Sequence, residues 1–355
     1  MSDKLLDFTK LQAGPTNLIS DVDGIMVGNA HDAVAMTGVS VVVPEAPCVA
    51  SCSVPGGGPG TRETDALQPA NLVDRVDAIC LSGGSVYGLD AASAVTAALG
   101  VQRRGFAMGA PPVVSPIVPA AILFDIGNGG EKDWGATPPY HQLGKQAFDA
   151  RAREFPLGNS GAGFGAQAGQ LKGGLGSAST MLDDSVFIGA VLAVNPVGAV
   201  CDDQGTFWAQ HLALEHKGAL EFGCADAPAP QAGASHPLTA SKLSGLVAGA
   251  NTTIGVVAVA ANLTSAEAQR VAIMAQDGLA RAIRPVHTPF DGDTIFVLAT
   301  GSQPLAHEAE LRPLALTVLG ALAADCVARA VARAVWFAGD MGSFPSYRSQ
   351  FPTAE

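Results

Sequence analysis

A mixed α/β fold, with helices covering the faces of a sheet, is predicted by three observations. Short β-branched runs bounded by Pro or Gly recur through the first half of the chain. Stretches of helical spacing alternate with them, at Leu89, Ala92, Val95 and Ala98 and again after Ser265. The 42 glycines among 355 residues are dispersed, which points to tight turns and close backbone packing rather than to a linker or collagen.

Taken in order, Val39 to Pro44 and Val49 to Val54 read as strands, and Ala78 to Leu81 as another running into the turn Ser82-Gly83-Gly84-Ser85. A helix follows that turn, with Gly100 as its stop. Ile117 to Ile126 is apolar and reads mostly as strand, Gly127 to Tyr140 as a polar loop, and His141 to Arg153 as a helix. Gly158 to Gly176 reads as a glycine-dense loop around Lys172, and Val186 to Val194 as a strand ending at Asn195-Pro196-Val197-Gly198. Residues 225–239, rich in Pro, Ala and Gly, read as an exposed mobile connection. Ile254 to Ala261 is a strand. Ser265 is the expected N-cap of a helix to about Ala282, Asp291 to Ala299 a strand, and Leu314 to Phe337 holds one long alanine-rich helix. No fixed-period repeat is visible.

Hydrophobic residues make up 48% of the chain and charged residues 15%, so a large core is expected and disorder is not. A net charge of −12 argues against nucleic acid as a partner. Six scattered cysteines are expected as buried reduced thiols of a cytoplasmic protein; Cys48 and Cys52, the only close pair, lack the neighbours of a zinc motif. The start Met-Ser-Asp-Lys-Leu-Leu-Asp does not read as a signal peptide, and no uninterrupted apolar stretch reaches about 18 residues, so no membrane span is expected.

The most informative chemistry lies in Gly249-Ala250-Asn251-Thr252-Thr253-Ile254, where a small-residue turn runs into a strand. If the Thr252 hydroxyl attacks the Asn251 carbonyl, the amide becomes an ester by an N-to-O shift. Water then cuts it, and Thr252 becomes a new N-terminus. A freed α-amine titrates at about 7.7–8.0 and can act as base for its own hydroxyl. The plain alternative is a turn entering a strand. Gly83-Gly84-Ser85-Val86-Tyr87 lacks the second glycine of a nucleophile elbow and fits tight packing better. Gly161-Ala162-Gly163-Phe164-Gly165-Ala166 approximates a dinucleotide fingerprint, but no convincing strand precedes it. Asp291-Gly292-Asp293, with His287 four residues before, reads as a metal site, a solvated turn, or a pair of acids that orient an N-terminal amine and hydroxyl. Lys172 reads as a surface lysine or, turned inward, as an oxyanion donor, and Asn195 offers an amide suited to the same hole.

These residues together resemble the DmpA/NylC family of self-processing N-terminal-nucleophile hydrolases (peptidase family S58), which includes β-peptidyl aminopeptidases and nylon-oligomer hydrolase. The resemblance extends over nearly the whole chain, through Asp21 to Gly28, Gly60 to Asp65, Leu81 to Asp90, Lys172 to Gly176, Asn195 to Gly198, Asn251 to Ile254 and His287 to Thr294. It implies a four-layer αββα sandwich forming a single hydrolase domain over 1–355, autocleaved between Asn251 and Thr252 into an α chain 1–251 and a β chain 252–355. It also implies a homo-oligomer, often a tetramer; from the residues themselves, neither cofactor nor metal is expected. By position Thr252 is the nucleophile, Asp291 and Asp293 orient it, Asn195 is an oxyanion donor, and Lys172 matches a lysine of the site. DmpA-like aminopeptidases instead have a serine nucleophile, and a serine and a glutamate where this chain has Asp291 and Asp293. In these features the chain is nearer NylC, although Phe124 stands near where NylC has a tyrosine.

The expected activity is therefore amide hydrolysis of small peptides or related amides through an acyl-enzyme on Thr252. The rivals are an acyltransferase of the ornithine acetyltransferase type, which also self-cleaves before a threonine, and a non-catalytic oligomer of the same fold.

Overall fold

The apolar run from Ile254 to Ala261 shows no polar alternation because its strand is buried on both faces. The computed structural model describes residues 10–182, 185–223, 236–245, 251–306 and 308–352. Its first half contains β1 (Gln12–Ala13), β2 (Ile25–Asp32), β3 (Thr37–Pro44), β4 (Cys48–Ser53), β5 (Thr61–Arg62), β6 (Arg75–Val76), β7 (Ile79–Ser82), α1 (Asp90–Val101), β8 (Ala120–Ile122) and α2 (Tyr140–Asp149). Then come the short β9 (Gln167–Ala168) and β10 (Leu171–Lys172), the long β11 (Gly174–Leu182) and β12 (Ser185–Asn195), and the small hairpin β13 (Glu215–His216) and β14 (Ala219–Leu220). The last part holds β15 (Thr252–Ala261), α3 (Ser265–Ala282), β16 (Thr294–Gln303), α4 (Arg312–Trp336) and α5 (Tyr347–Gln350).

Among the described residues, one sheet runs β1-β11-β12-β15-β16-β4-β6 and a second runs β2-β3-β7-β8-β5. Side chains alternate across each strand. Ile254, Val256 and Ala258 of β15 therefore join Val27, Val42, Ile79 and Leu81 of the second sheet in the core between the sheets. Val257 and Val259 point the other way, into a core shared with Val271 and Leu279 of α3 and Val327 and Val331 of α4. Helices α1 and α2 cover the far face of the second sheet, with Val95, Leu99, Leu143 and Phe148 against Val39 and Val41. The layers run helix, sheet, sheet, helix. This is the αββα sandwich.

Strand β15 pairs antiparallel with β12 and parallel with β16. A parallel neighbour requires a crossover, and α3 supplies it. Thr264, not Ser265, is the N-cap of α3: its hydroxyl accepts from Glu267 N at 3.3 Å while Thr264 N donates to Glu267 Oε2 at 2.8 Å, a reciprocal capping box.

Two other expectations need correction. Of the apolar run from Ile117 to Ile126 only Ala120–Ile122 is strand. Ile117 N and Val118 N donate to the side chains of Asp77 and Glu63 at 3.0 and 3.1 Å, and Pro119 has no N–H to give a ladder. The glycine-dense loop ends at Gly173, because β11 begins at Gly174. Its glycines admit α4: a Cβ on Gly176 would sit 1.9 Å from Ala330 O. Ala309–Trp336 contains a window long and apolar enough to cross a membrane. Here it is a core helix whose Arg329 and Arg333 reach buried Glu221. The connection expected at 225–239 lies mostly outside the described residues; its last part, Pro237–Ala240, is a short 3-10 turn.

Candidate active site

Asn195 ends β12 and Thr252 begins β15, and the antiparallel register sets them opposite one another. Both are in phase with the residues between the sheets, Val191 and Ala193 on one strand, Ile254 and Val256 on the other. Both side chains therefore turn into the end of the inter-sheet gap. Because β16 lies parallel beside β15, the turn that enters it, Phe290-Asp291-Gly292-Asp293, comes alongside Asn251 and Thr252. Asn251 N donates to Phe290 O at 2.9 Å.

Thr252 Oγ1 lies against the carbonyl oxygen of Asn251. The Gly292 N–H donates to Thr252 Oγ1 at 3.0 Å and stands 3.3 Å from Asn251 O. Only glycine fits here, because a Cβ would come within 2.8 Å of both Thr252 Oγ1 and Gly58 O. Both acids of the turn are fully buried. Asp293 accepts from Thr253 N at 2.7 Å and from His287 N at 3.1 Å, and meets His287 Nδ1 at 2.8 Å. Asp291 accepts from Thr288 N, Thr288 Oγ1 and Val197 N at 2.9, 2.7 and 3.2 Å. Burial, with the Asp293 charge adding to it, holds the Asp291 carboxyl above the usual carboxylate range.

Asn195 is held on both sides of its amide. Its Oδ1 accepts from Gln167 N at 2.9 Å, Asn128 Nδ2 at 3.0 Å and Lys242 Nζ at 3.3 Å, and its Nδ2 donates to Phe124 O at 2.9 Å. Phe124 thus serves the site through its backbone, and its ring carries no donor. Lys172 is turned inward and fully buried, so it is no surface lysine. Its Nζ donates to Gly163 O, Ala166 O and Gly173 O at 3.2, 2.9 and 2.9 Å, and burial pushes its ammonium down to about 7. All three of its protons are spent on carbonyls, none on Thr252. It reaches the site indirectly, through the loop whose Gln167 N–H holds Asn195.

Asn251, Thr252, Asn195, Asp291 and Asp293 are thus gathered at one place, and Lys172 holds the Ala166 carbonyl next to the Gln167 N–H that binds Asn195. The sequence reading missed Lys242, Asn128 and the Gly292 N–H. Lys242 Nζ donates to Asn251 Oδ1 at 2.5 Å, and burial pushes its ammonium down to about 7 against the pull of Asp291. Lys242 follows a Pro- and Ala-rich stretch, and Asn128 sits in a polar loop; neither has a local pattern to mark it. Among the described residues no three His, Cys, Asp or Glu gather as metal ligands. In the Gly161–Gly163 turn the glycines serve close packing: a Cβ at Gly163 would meet Leu175 N at 2.0 Å, and one at Gly161 would meet Ser40 Oγ at 2.2 Å.

The profile of peptidase family S58 matches residues 17–347. An uncharacterized aminopeptidase of Mycobacterium tuberculosis is 44% identical over 354 residues, which span 95% of this chain and 99% of that protein. A 6-aminohexanoate-oligomer endohydrolase of Kocuria sp. is 30% identical over 340 residues, 90% of this chain and 86% of that protein. Among solved structures, a Burkholderia sp. beta-aminopeptidase is similar with a TM-score of 0.67 and 20% identity, over 98% of this chain and 93% of that one. The L-aminopeptidase D-Ala-esterase/amidase of Ochrobactrum anthropi, described as a variant of the N-terminal-nucleophile hydrolase fold, gives 0.64 and 22%, over 96% and 91%. The sandwich, its buried Asn-Thr junction and these relatives place the chain in peptidase family S58, as a peptide- and amide-bond hydrolase.

Proposed function

We propose that this chain is a self-processing amide hydrolase whose nucleophile is Thr252. The observation that carries the reading is the seat of the Asn251–Thr252 bond, where the hydroxyl lies against the neighbouring carbonyl oxygen and the Gly292 N–H points at both. In the first reaction Thr252 Oγ1 attacks the Asn251 carbonyl carbon, and the oxyanion that forms takes the Gly292 N–H. The C–N bond breaks as the hydroxyl proton passes to the leaving nitrogen of Thr252, and an ester to Oγ1 remains. Water hydrolyses it, leaving an Asn251 carboxylate and a free Thr252 amine.

In turnover that amine takes the proton of its own hydroxyl, directly or through water, as Oγ1 attacks a substrate amide. The Asn195 amide and the Gly292 N–H meet the oxyanion. Asp291 and Asp293 flank the new ammonium, and Asp293 fixes the start of β15 through Thr253 N. The leaving amine is protonated, and water releases the acyl group. Lys172 is a positioning residue, holding the loop that orients Asn195. Short peptides and related amides are the substrate class, in keeping with the aminopeptidase and oligomer-hydrolase names of the relatives.

Intact mass under denaturing conditions tests the first step and hydrolysis of aminoacyl p-nitroanilides the second. Wild type should give two fragments meeting between Asn251 and Thr252. Thr252→Ala should stay in one piece and lose activity by at least about a thousandfold. A fully active, uncut Thr252→Ala protein would end the proposal.

A further inference from the structure

The Asn251 side chain is gripped by a lysine that the reaction above does not use. Lys242 Nζ donates to Asn251 Oδ1 at 2.5 Å and to Asn195 Oδ1 at 3.3 Å. Its position does not depend on Asn251. Lys242 N donates to Val197 O at 3.0 Å, two residues beyond Asn195, and Gln170 Nε2 holds Thr239 O at 2.9 Å. Gly169 lies so close beneath this segment that a Cβ there would be 2.6 Å from Ala240 O. Thr239 to Lys242 is therefore seated on the turns around Asn195, and cutting after Asn251 removes none of these anchors.

During self-processing the acyl group on Thr252 Oγ1 is that of Asn251; during turnover it is the substrate's. The two esters share one oxygen and one oxyanion site, so the substituent on each acyl carbon leaves from the same point. The surroundings of the Asn251 side chain are thus a template for the acyl-side subsite. We propose that Lys242 lines that subsite and selects amides whose acyl half bears a carbonyl or carboxylate oxygen where Asn251 bears Oδ1. Asparaginyl, aspartyl and succinyl-type acyl groups meet this requirement: two carbons separate their far carbonyl from the reacting one. The inference rests on Thr252 being the nucleophile.

The test compares kcat/KM, per cut chain as counted by intact mass, for asparaginyl, aspartyl, alanyl and leucyl p-nitroanilides. Wild type should prefer the first two. Lys242→Met frees Asn195 Oδ1 of one donor and so lowers all four rates together, but the loss on the first two should exceed the loss on the others by about tenfold or more, the effect of one charge-assisted hydrogen bond. Lys242→Arg, which keeps a donor, should recover part of the preference. A cut wild type that shows no preference overturns the inference by itself, even if Lys242→Met does not fold. Equal losses on all four substrates overturn it as well. A wild-type chain that is neither cut nor active overturns the reading beneath it.

Discussion

Lys172 and Lys242 are both held near neutrality by burial, yet they do different work. Lys172 saturates three backbone carbonyls and touches no reacting atom, while Lys242 faces the Asn251 side chain. For Lys172 the pH consequence has a definite sign. Its ammonium falls from 10.5 in the free side chain to about 7 when folded, so between those values the unfolded chain holds more protons. The contribution to stability is complete above 10.5 and is lost as pH falls toward 7. The urea midpoint of wild type relative to Lys172→Met should therefore rise as pH is raised from 7 to 10. A difference that stays flat with pH would mean that the buried amine does not titrate. Among single residues, the sequence was most legible where chemistry has a short motif. Asn251-Thr252 and Asp291-Gly292-Asp293 could be singled out, because a hydroxyl beside a cleavable amide and two acids one residue apart are unusual in themselves. Asn128 and Lys242 could not, since their roles come from the ends of separate loops meeting.

At the scale of elements, β11 against α4 sets a tight constraint. The strand opens Gly174-Leu175-Gly176-Ser177, and the α4 backbone lies directly on it. Gly176→Val should cost at least about 1–3 kcal/mol, since backbone cannot yield as a side-chain tip would. The loss would be read as a lower urea midpoint; an unchanged midpoint would mean that α4 moves aside freely. This packing also explains why β11 was hidden. Its glycines and serines, chosen for close approach, read as loop when propensity alone is weighed. Strands β12, β15 and β16 were visible because burial on both faces makes their apolar runs continuous. The run from Ile117 to Ile126 was overread for the converse reason: apolar residues can be buried while side chains satisfy their backbone. The helix boundaries fell within a few residues, with Thr264 taking the cap one place early because Glu267 stands at the distance that completes the box.

Across the whole molecule, β15 and β16 from the last third of the chain lie between β12 and β4 from the first two-thirds. The pairing of β12 with β15 runs from Ile188↔Val259 to Asn195↔Thr252. Glu221, although buried, is held below the usual carboxylate range by Arg329 and Arg333 of α4, which binds the same two parts again. A cut at Asn251–Thr252 would thus divide the covalent chain without dividing a core. The two fragments of wild type should leave a size-exclusion column in one peak in native buffer and in two peaks only in denaturant. Separate native peaks would contradict the shared sheet.

That interleaving gives the cut a direction in time. Before it, the segment joining the two parts keeps their effective concentration high, and an unfolded molecule can refold alone. After it, the same sheet can be rebuilt only by two chains that find each other, so recovery depends on their dilution. Self-processing would act as a ratchet: the chain folds once as a single molecule, and what it becomes afterwards lasts by how slowly it comes apart.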